Sequence, residues 1–164
     1  MTKDFKQYSI DLGQRESRNT YGIENVFHFL GRWQLGSPRI YDLGYSINGW
    51  YPKGQPIKKV ITKTQFLTDI PLQNKLFIDH ITRLKNHVLS NHADRIDTDF
   101  VCKDGKKYHL TLSGIVSGMH LIGSGGMDKF LRTQNDSADG FDTKASEYIT
   151  KFAGYDLYSN IEIG

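Results

Sequence analysis

Pro71 to Asn91 reads PLQNKLFIDHITRLKNHVLSN. Phe77, Ile81, Leu84 and Val88 step by four, three and four, with basic and polar residues on the other face. That spacing is the apolar stripe of a long amphipathic helix, and Pro71 opens it where no backbone donor is needed. Toward the N-terminus, Thr62 or Thr64 caps a short helix through Asp69. Ser37-Pro38 starts another, with Ser37 as N-cap and Pro38 at the first helical position, ended by Gly44. Phe5, Tyr8 and Leu12 predict an amphipathic helix over Asp4 to Ser17, although Gly13 weakens it. Arg18 to Gly36 reads as a loop around a short apolar patch, Val26 to Leu30, and residues 45–59 as a loop rich in Gly, Pro and aromatics. Toward the C-terminus, Lys103-Asp104-Gly105-Lys106 between apolar flanks signals a hairpin over Asp99 to Leu110. A helix from Ser113 to Ile122, ended by Gly123, leads through a Gly123–Gly126 turn into a short helix, Asp128 to Arg132. Gln134 to Phe141 is a polar loop, and a last helix runs from Ser146 to Ala153. No repeat or linker interrupts the chain. The expected fold is mainly α, a single domain over residues 1–164 with one small β-hairpin.

Composition narrows the function. The 164 residues carry 21 Lys and Arg against 18 Asp and Glu, a net charge of +3 and a pI near 8.9. The only basic cluster is Lys103, Lys106, Lys107, whereas nucleic-acid binding calls for a concentrated basic stripe, so no nucleic-acid partner is expected. The uncharged run Tyr108 to Met127 is as long as a membrane span. Its two His, its Ser and Thr and its many Gly suit a buried helix with flanking loops instead, so no membrane insertion is expected. The opening MTKDFKQYSIDLGQRES alternates charged and apolar residues and has no apolar stretch of export-signal type.

Metal and nucleophile motifs are sparse. Cys102 is the lone cysteine and reads as an inert buried thiol. The six histidines, His28, His80, His87, His92, His109 and His120, contain no H-E-x-x-H pair. His80 and His87 are seven apart and read as solvated helix histidines. Gly123-Ser124-Gly125-Gly126 follows a helix rather than a strand, which argues against a phosphate loop. Neither metal nor cofactor is expected.

The informative stretch is Glu16 to Gln34, ESRNTYGIENVFHFLGRWQ. A glutamate ending a helix and half covered by the following loop is disfavoured in its charged form. A carboxylic acid still protonated near neutral pH can donate to a glycosidic oxygen. Glu16-Ser17 is followed 15 residues later by Gly31-Arg32-Trp33-Gln34. This pattern resembles the first motif, Glu-Ser then Gly-x-x-Gln, of the lytic transglycosylases in the goose-lysozyme-like superfamily. Met119-His120-Leu121-Ile122-Gly123-Ser124-Gly125, Met127 and Phe130-Leu131 are similar to its third motif, with His120 and Leu121 where the family has Tyr and Asn. Ser146-Glu147-Tyr148-Ile149 is similar to its last, Tyr-bearing motif. Gly31 to Gly36 and Asp42 to Tyr45 also resemble runs in bacterial and phage lysozyme-like proteins.

The resemblance implies a lysozyme-like domain that cleaves the β-1,4 bond between N-acetylmuramic acid and N-acetylglucosamine, with Glu16 as general acid and base. Ser17, Gln34, His120 and Tyr148 would orient it or contact the sugar. An anhydro-forming route needs no second carboxylate, whereas a hydrolase uses two, for which Glu24 and Asp42 are the candidates. Trp50, Tyr51 and Tyr45 offer flat faces to sugar rings. Two alternatives stay open: a non-catalytic module binding glycan or protein, kept alive by Leu121 in place of Asn, and a chitinase- or chitosanase-like hydrolase. The expected partners are peptidoglycan strands and an immunity or secretion protein. Without a signal peptide, the chain would be made in the cytoplasm and reach the wall by lysis or specialised secretion.

Overall fold

The computed structural model describes residues 3–164; the first two residues of the segment read for an export signal lie outside it. Among the described residues the order is α1 (Phe5–Ser17), α2 (Ser37–Asp42), β1 (Tyr45–Ile47), β2 (Lys59–Ile61), α3 (Lys63–Thr68), α4 (Ile70–Asn91), β3 (Thr98–Val101), β4 (Lys107–Leu110), α5 (Leu112–Thr133) and α6 (Ala145–Lys151). The fold is mainly α. No helix among the described residues is long and apolar enough to cross a membrane.

The chain gathers into two compact units. The first holds the residues before Ser9 and Ile81–Ile161; the second holds Ser9–His80 and Glu162–Gly164. The divisions near Ser9 and His80 fall inside α1 and α4, which explains why no linker composition marks them.

In the second unit, Leu30, Leu35, Ile40, Ile47, Phe66 and Leu76 form the apolar cluster. Trp33 lies flat on Phe77, ring centroids 4.1 Å apart, and donates its indole N–H to the Ser9 carbonyl at 3.0 Å. Stacking and a satisfied donor together make burial of so large a ring favourable. The segment read as the 45–59 loop contains β1, paired in parallel with β2 in the register Ser46↔Val60. Three-residue strands are too short to show a period-2 pattern, so this second sheet was not visible as hydrophobic alternation. The N-cap of α2 is Gly36, not Ser37, and Pro38 occupies the second helical position.

In the first unit, α5 and α6 carry the buried side chains Ile115, Val116, Met119, Met127, Phe130, Leu131 and Ile149. Tyr8, fully buried, bonds the Ser117 hydroxyl at 2.8 Å and meets Phe152 and Tyr155 edge-on. The expected hairpin is present as β3 and β4, antiparallel with Val101↔Lys107 flanking the turn. The helix expected to end at Gly123 does end there, and α5 is two helices joined across that residue. Gly123, at φ 79° and ψ 164°, separates them, but helical geometry resumes at once, so residues 124–126 open the second helix instead of forming a turn. A positive φ costs glycine little, which is why the break falls there. Thr111 caps this helix by accepting the Gly114 N–H.

Candidate functional site

Glu16 sits half-buried in the last turn of α1. The next residue, Ser17, is buried and donates to the Arg32 carbonyl at 2.7 Å while accepting the Thr20 N–H at 3.0 Å. The helix end bearing Glu16-Ser17 is therefore tied directly to the Gly31–Gln34 turn. Reciprocal bonds between Leu30 and Leu35, both 2.9 Å, close that turn. Gly31 and Gln34 bend it with φ of 76° and 51°, and the Gln34 amide donates to the Gly31 carbonyl at 2.8 Å.

The turn is braced from two sides. The buried Gln73 accepts the Arg32 N–H at 3.1 Å and donates to the carbonyls of Tyr21 and Phe66. Arg32, only 5% exposed as a residue, donates from its guanidinium to Asn19, to the Tyr21 hydroxyl and to the Gly164 carbonyl. It reaches Asn19 across the surface of α1 at Gly13, where a Cβ would stand 2.8 Å from Arg32 Nε. This contact explains a glycine inside α1 that propensity alone disfavours. Sequence reasoning missed Gln73 and the role of Arg32, because neither stands in a recognisable spacing with its partners.

Of the two second-carboxylate candidates, Glu24 is committed to cations. It pairs with Lys63 at 2.7 Å and with His28 at 2.6 Å. The Lys63 bond first, and the His28 bond next, hold its carboxyl below the ordinary value. Asp42 ends α2 and is exposed. The same unit displays exposed aromatics: Trp50 and Tyr51 between β1 and β2, and Phe27 and Phe29 after Glu24.

His120 and Tyr148 belong to the other unit. His120 is half-buried on α5, and Tyr148 is buried on α6, edge-on to Phe152. A cleft of about 570 Å³ in this unit is lined by Lys106, Lys144 and Lys151 with Tyr108, Ser146, Glu147 and Thr150. It includes none of the residues expected from the sequence to act. Cys102 is buried as expected, and burial pushes its thiol pKa up, which disfavours the thiolate form.

The histidines depart from expectation. His80 is not solvated: it is buried, and its Nδ1 lies 3.3 Å from an Arg39 guanidinium nitrogen. His87 instead meets His92 and Asp128, a grouping whose ligand atoms all lie within 4.8 Å of one another. His87 Nε2 is 3.0 Å and His92 Nε2 2.6 Å from the same Asp128 oxygen. Partial burial works against the Asp128 charge, but the bonds from His92 and His87 prevail and hold its carboxyl below the ordinary value. The five-residue spacing of His87 and His92 straddles a helix end, and Asp128 follows 36 residues later, so no local motif announced the cluster. No family model, curated protein or solved structure matches this chain.

Proposed function

We propose that the chain is a peptidoglycan-cleaving glycosidase of lysozyme-like type, with Glu16 as its general acid and base. The observation that carries this reading is the bond from Ser17 to the Arg32 carbonyl, which joins Glu16-Ser17 to the Gly31–Gln34 turn. Two sequence segments that resemble halves of one transglycosylase motif are thereby neighbours in space. Glu16 itself is half-buried in the last turn of α1, beside this junction. Trp50, Tyr51, Phe27 and Phe29 provide flat exposed rings in the same unit as Glu16.

In this mechanism Glu16 donates its proton to the glycosidic oxygen as the bond to the muramic acid anomeric carbon breaks. The resulting carboxylate then takes a proton from the C6 hydroxyl of the same sugar, which closes a 1,6-anhydro ring. Water in place of that hydroxyl would give the hydrolytic product. The anhydro route is preferred because Glu24 is tied up by Lys63 and His28 and Asp42 lies on an exposed helix end. Ser17 acts by fixing the helix end, and Gln34 by shaping the turn.

The Glu16→Gln protein, with an unchanged circular dichroism spectrum, is expected to lose clearing of a peptidoglycan-containing gel by at least about a hundredfold, the scale of a lost general acid. Undiminished clearing by that variant would remove Glu16 from the mechanism. Mass spectrometry of sacculi treated with the native chain is expected to show anhydromuramic ends; reducing ends instead would select hydrolysis. Retention on insoluble glycan without any soluble product would select the binding module that Leu121 favours.

A further inference from the structure

His87, His92 and Asp128 form a donor set that the glycosidase reading does not use. Both imidazoles aim their Nε2 atoms at one carboxylate: His87 lies 3.0 and 3.2 Å from its two oxygens, and His92 lies 2.6 Å from the first. We infer that these three side chains bind one divalent transition-metal ion of the zinc class.

The local backbone builds this convergence. Residues five apart on an uninterrupted α-helix point roughly 140° away from each other. His87 lies within α4, but α4 stops at Asn91, and His92 turns out of the spiral at φ −139° and ψ 24°. Its N–H still closes the helix by bonding the Val88 carbonyl at 2.7 Å. The two rings consequently stand 5.9 Å apart, centroid to centroid. Asp128 comes from α5, five residues beyond the Gly123 kink.

The donor chemistry then selects the ion. Two imidazole nitrogens and one carboxylate oxygen suit zinc and its neighbours, whereas calcium and magnesium take oxygen shells. Metal–ligand bonds of ~2.0–2.2 Å in tetrahedral geometry put ligand atoms roughly 3.3 Å apart. His87 stands 3.0 and 3.2 Å from the Asp128 oxygens, near that value, and the 2.6 Å between His92 and Asp128 would lengthen as the ion enters. A plain ion pair accounts less well for the arrangement. An aspartate can accept from two imidazoles, but here two imidazole nitrogens and a carboxylate from separate elements all converge within 4.8 Å, the spacing of a metal shell. Three protein ligands leave a fourth position for water. The side chains are 31%, 16% and 41% exposed, so that position is within reach of solvent.

The test uses the full chain without a histidine tag, stripped with a chelator and titrated with Co(II) and then Zn(II). One Co(II) per chain with saturable visible absorption, displaced by Zn(II), is expected. Histidine-detected NMR of the Zn(II) form should show His87 and His92 bonded through Nε2. Asp128→Asn and His92→Gln are each expected to weaken Co(II) binding at least tenfold. His109→Gln, which alters an exposed His–Asp contact in the β3–β4 hairpin, should leave it unchanged. Absence of saturable binding, or equal affinity in the Asp128→Asn chain, would overturn the inference. The NMR readout on the native chain decides the matter even if a ligand variant fails to fold. None of these measurements depends on glycan turnover, so failure of the Glu16 mechanism leaves the metal site standing, and the reverse.

Discussion

Gly31 meets two demands at one position. Its φ of 76° lies where side-chain-bearing residues are strained, and a Cβ there would overlap the Gln73 amide that holds the Gly31–Gln34 turn. Backbone strain of this kind costs of order 1–3 kcal/mol, and displacing a buried, fully bonded amide adds to it. Gly31→Ala is therefore expected to lower stability by about 3 kcal/mol in urea unfolding. Gly22→Ala, with open space around it and no positive φ, should fall within about 0.5 kcal/mol of the native chain. An equal effect of the two substitutions would refute this account of the turn. Glu24 makes a pH-dependent prediction at the same scale. Its carboxyl is held below the ordinary value of 4.5, first by the Lys63 bond and then by His28. A depressed carboxylate pKa stabilises the folded chain above the unfolded-state value and stops doing so as pH falls through the folded-state value. Thermal melts of Glu24→Gln should thus lie below those of the native chain at pH 7, and the gap should close as pH drops below 4.5. A gap undiminished at pH 3 from its size at pH 7 would show that the bonds do not act through the charge.

At the scale of elements, Thr62 shows what a sequence can disclose. The Thr62 hydroxyl accepts the Gln65 N–H at 3.0 Å, and the Gln65 side chain accepts the Thr62 N–H at 2.8 Å. Such reciprocal capping satisfies two donors that a helix start leaves open. Because α3 has only six residues, Thr62→Ala should cost about 1 kcal/mol, read as a shift of the urea midpoint with an unchanged slope. That cap, the stripe of α4 and the Lys103–Lys106 turn were legible because each is written within a few consecutive residues. The β1–β2 pair was not, since its bonds join residues 14 apart across a Gly- and Pro-rich segment. Gly13 and Gly123 pull local reasoning in opposite directions. One is tolerated inside a helix because Arg32 lies against it, while the other does break the helical geometry, though for one residue only. Propensity registers the glycine in both cases, but only tertiary packing distinguishes them.

At the scale of the whole molecule, the same distinction governs the candidate sites. Glu16, Ser17 and the Gly31–Gln34 turn were readable as a pattern because they fall within 19 consecutive residues. The groups that hold this pattern in place come from far along the chain: Gln73 lies 41 residues beyond Arg32, and Gly164 lies 132 beyond it. The final residues, Glu162–Gly164, belong to the unit of Ser9–His80. Within it the Gly164 carbonyl accepts from the Arg32 guanidinium at 2.7 Å, and the Gly164 N–H donates to the Ser9 hydroxyl at 3.0 Å. Removing residues 162–164 deletes an acceptor from the guanidinium of the buried Arg32, and a lost bond to a charged donor costs about 1–3 kcal/mol. The shortened chain should therefore melt several degrees lower. If Arg32 positions the turn beside Glu16, the shortened chain should also degrade peptidoglycan more slowly at temperatures where it is fully folded. If the shortened chain melted and cleaved like the native one, Arg32 would be held well enough by Asn19 and Tyr21, and the tail would have no part in shaping the turn.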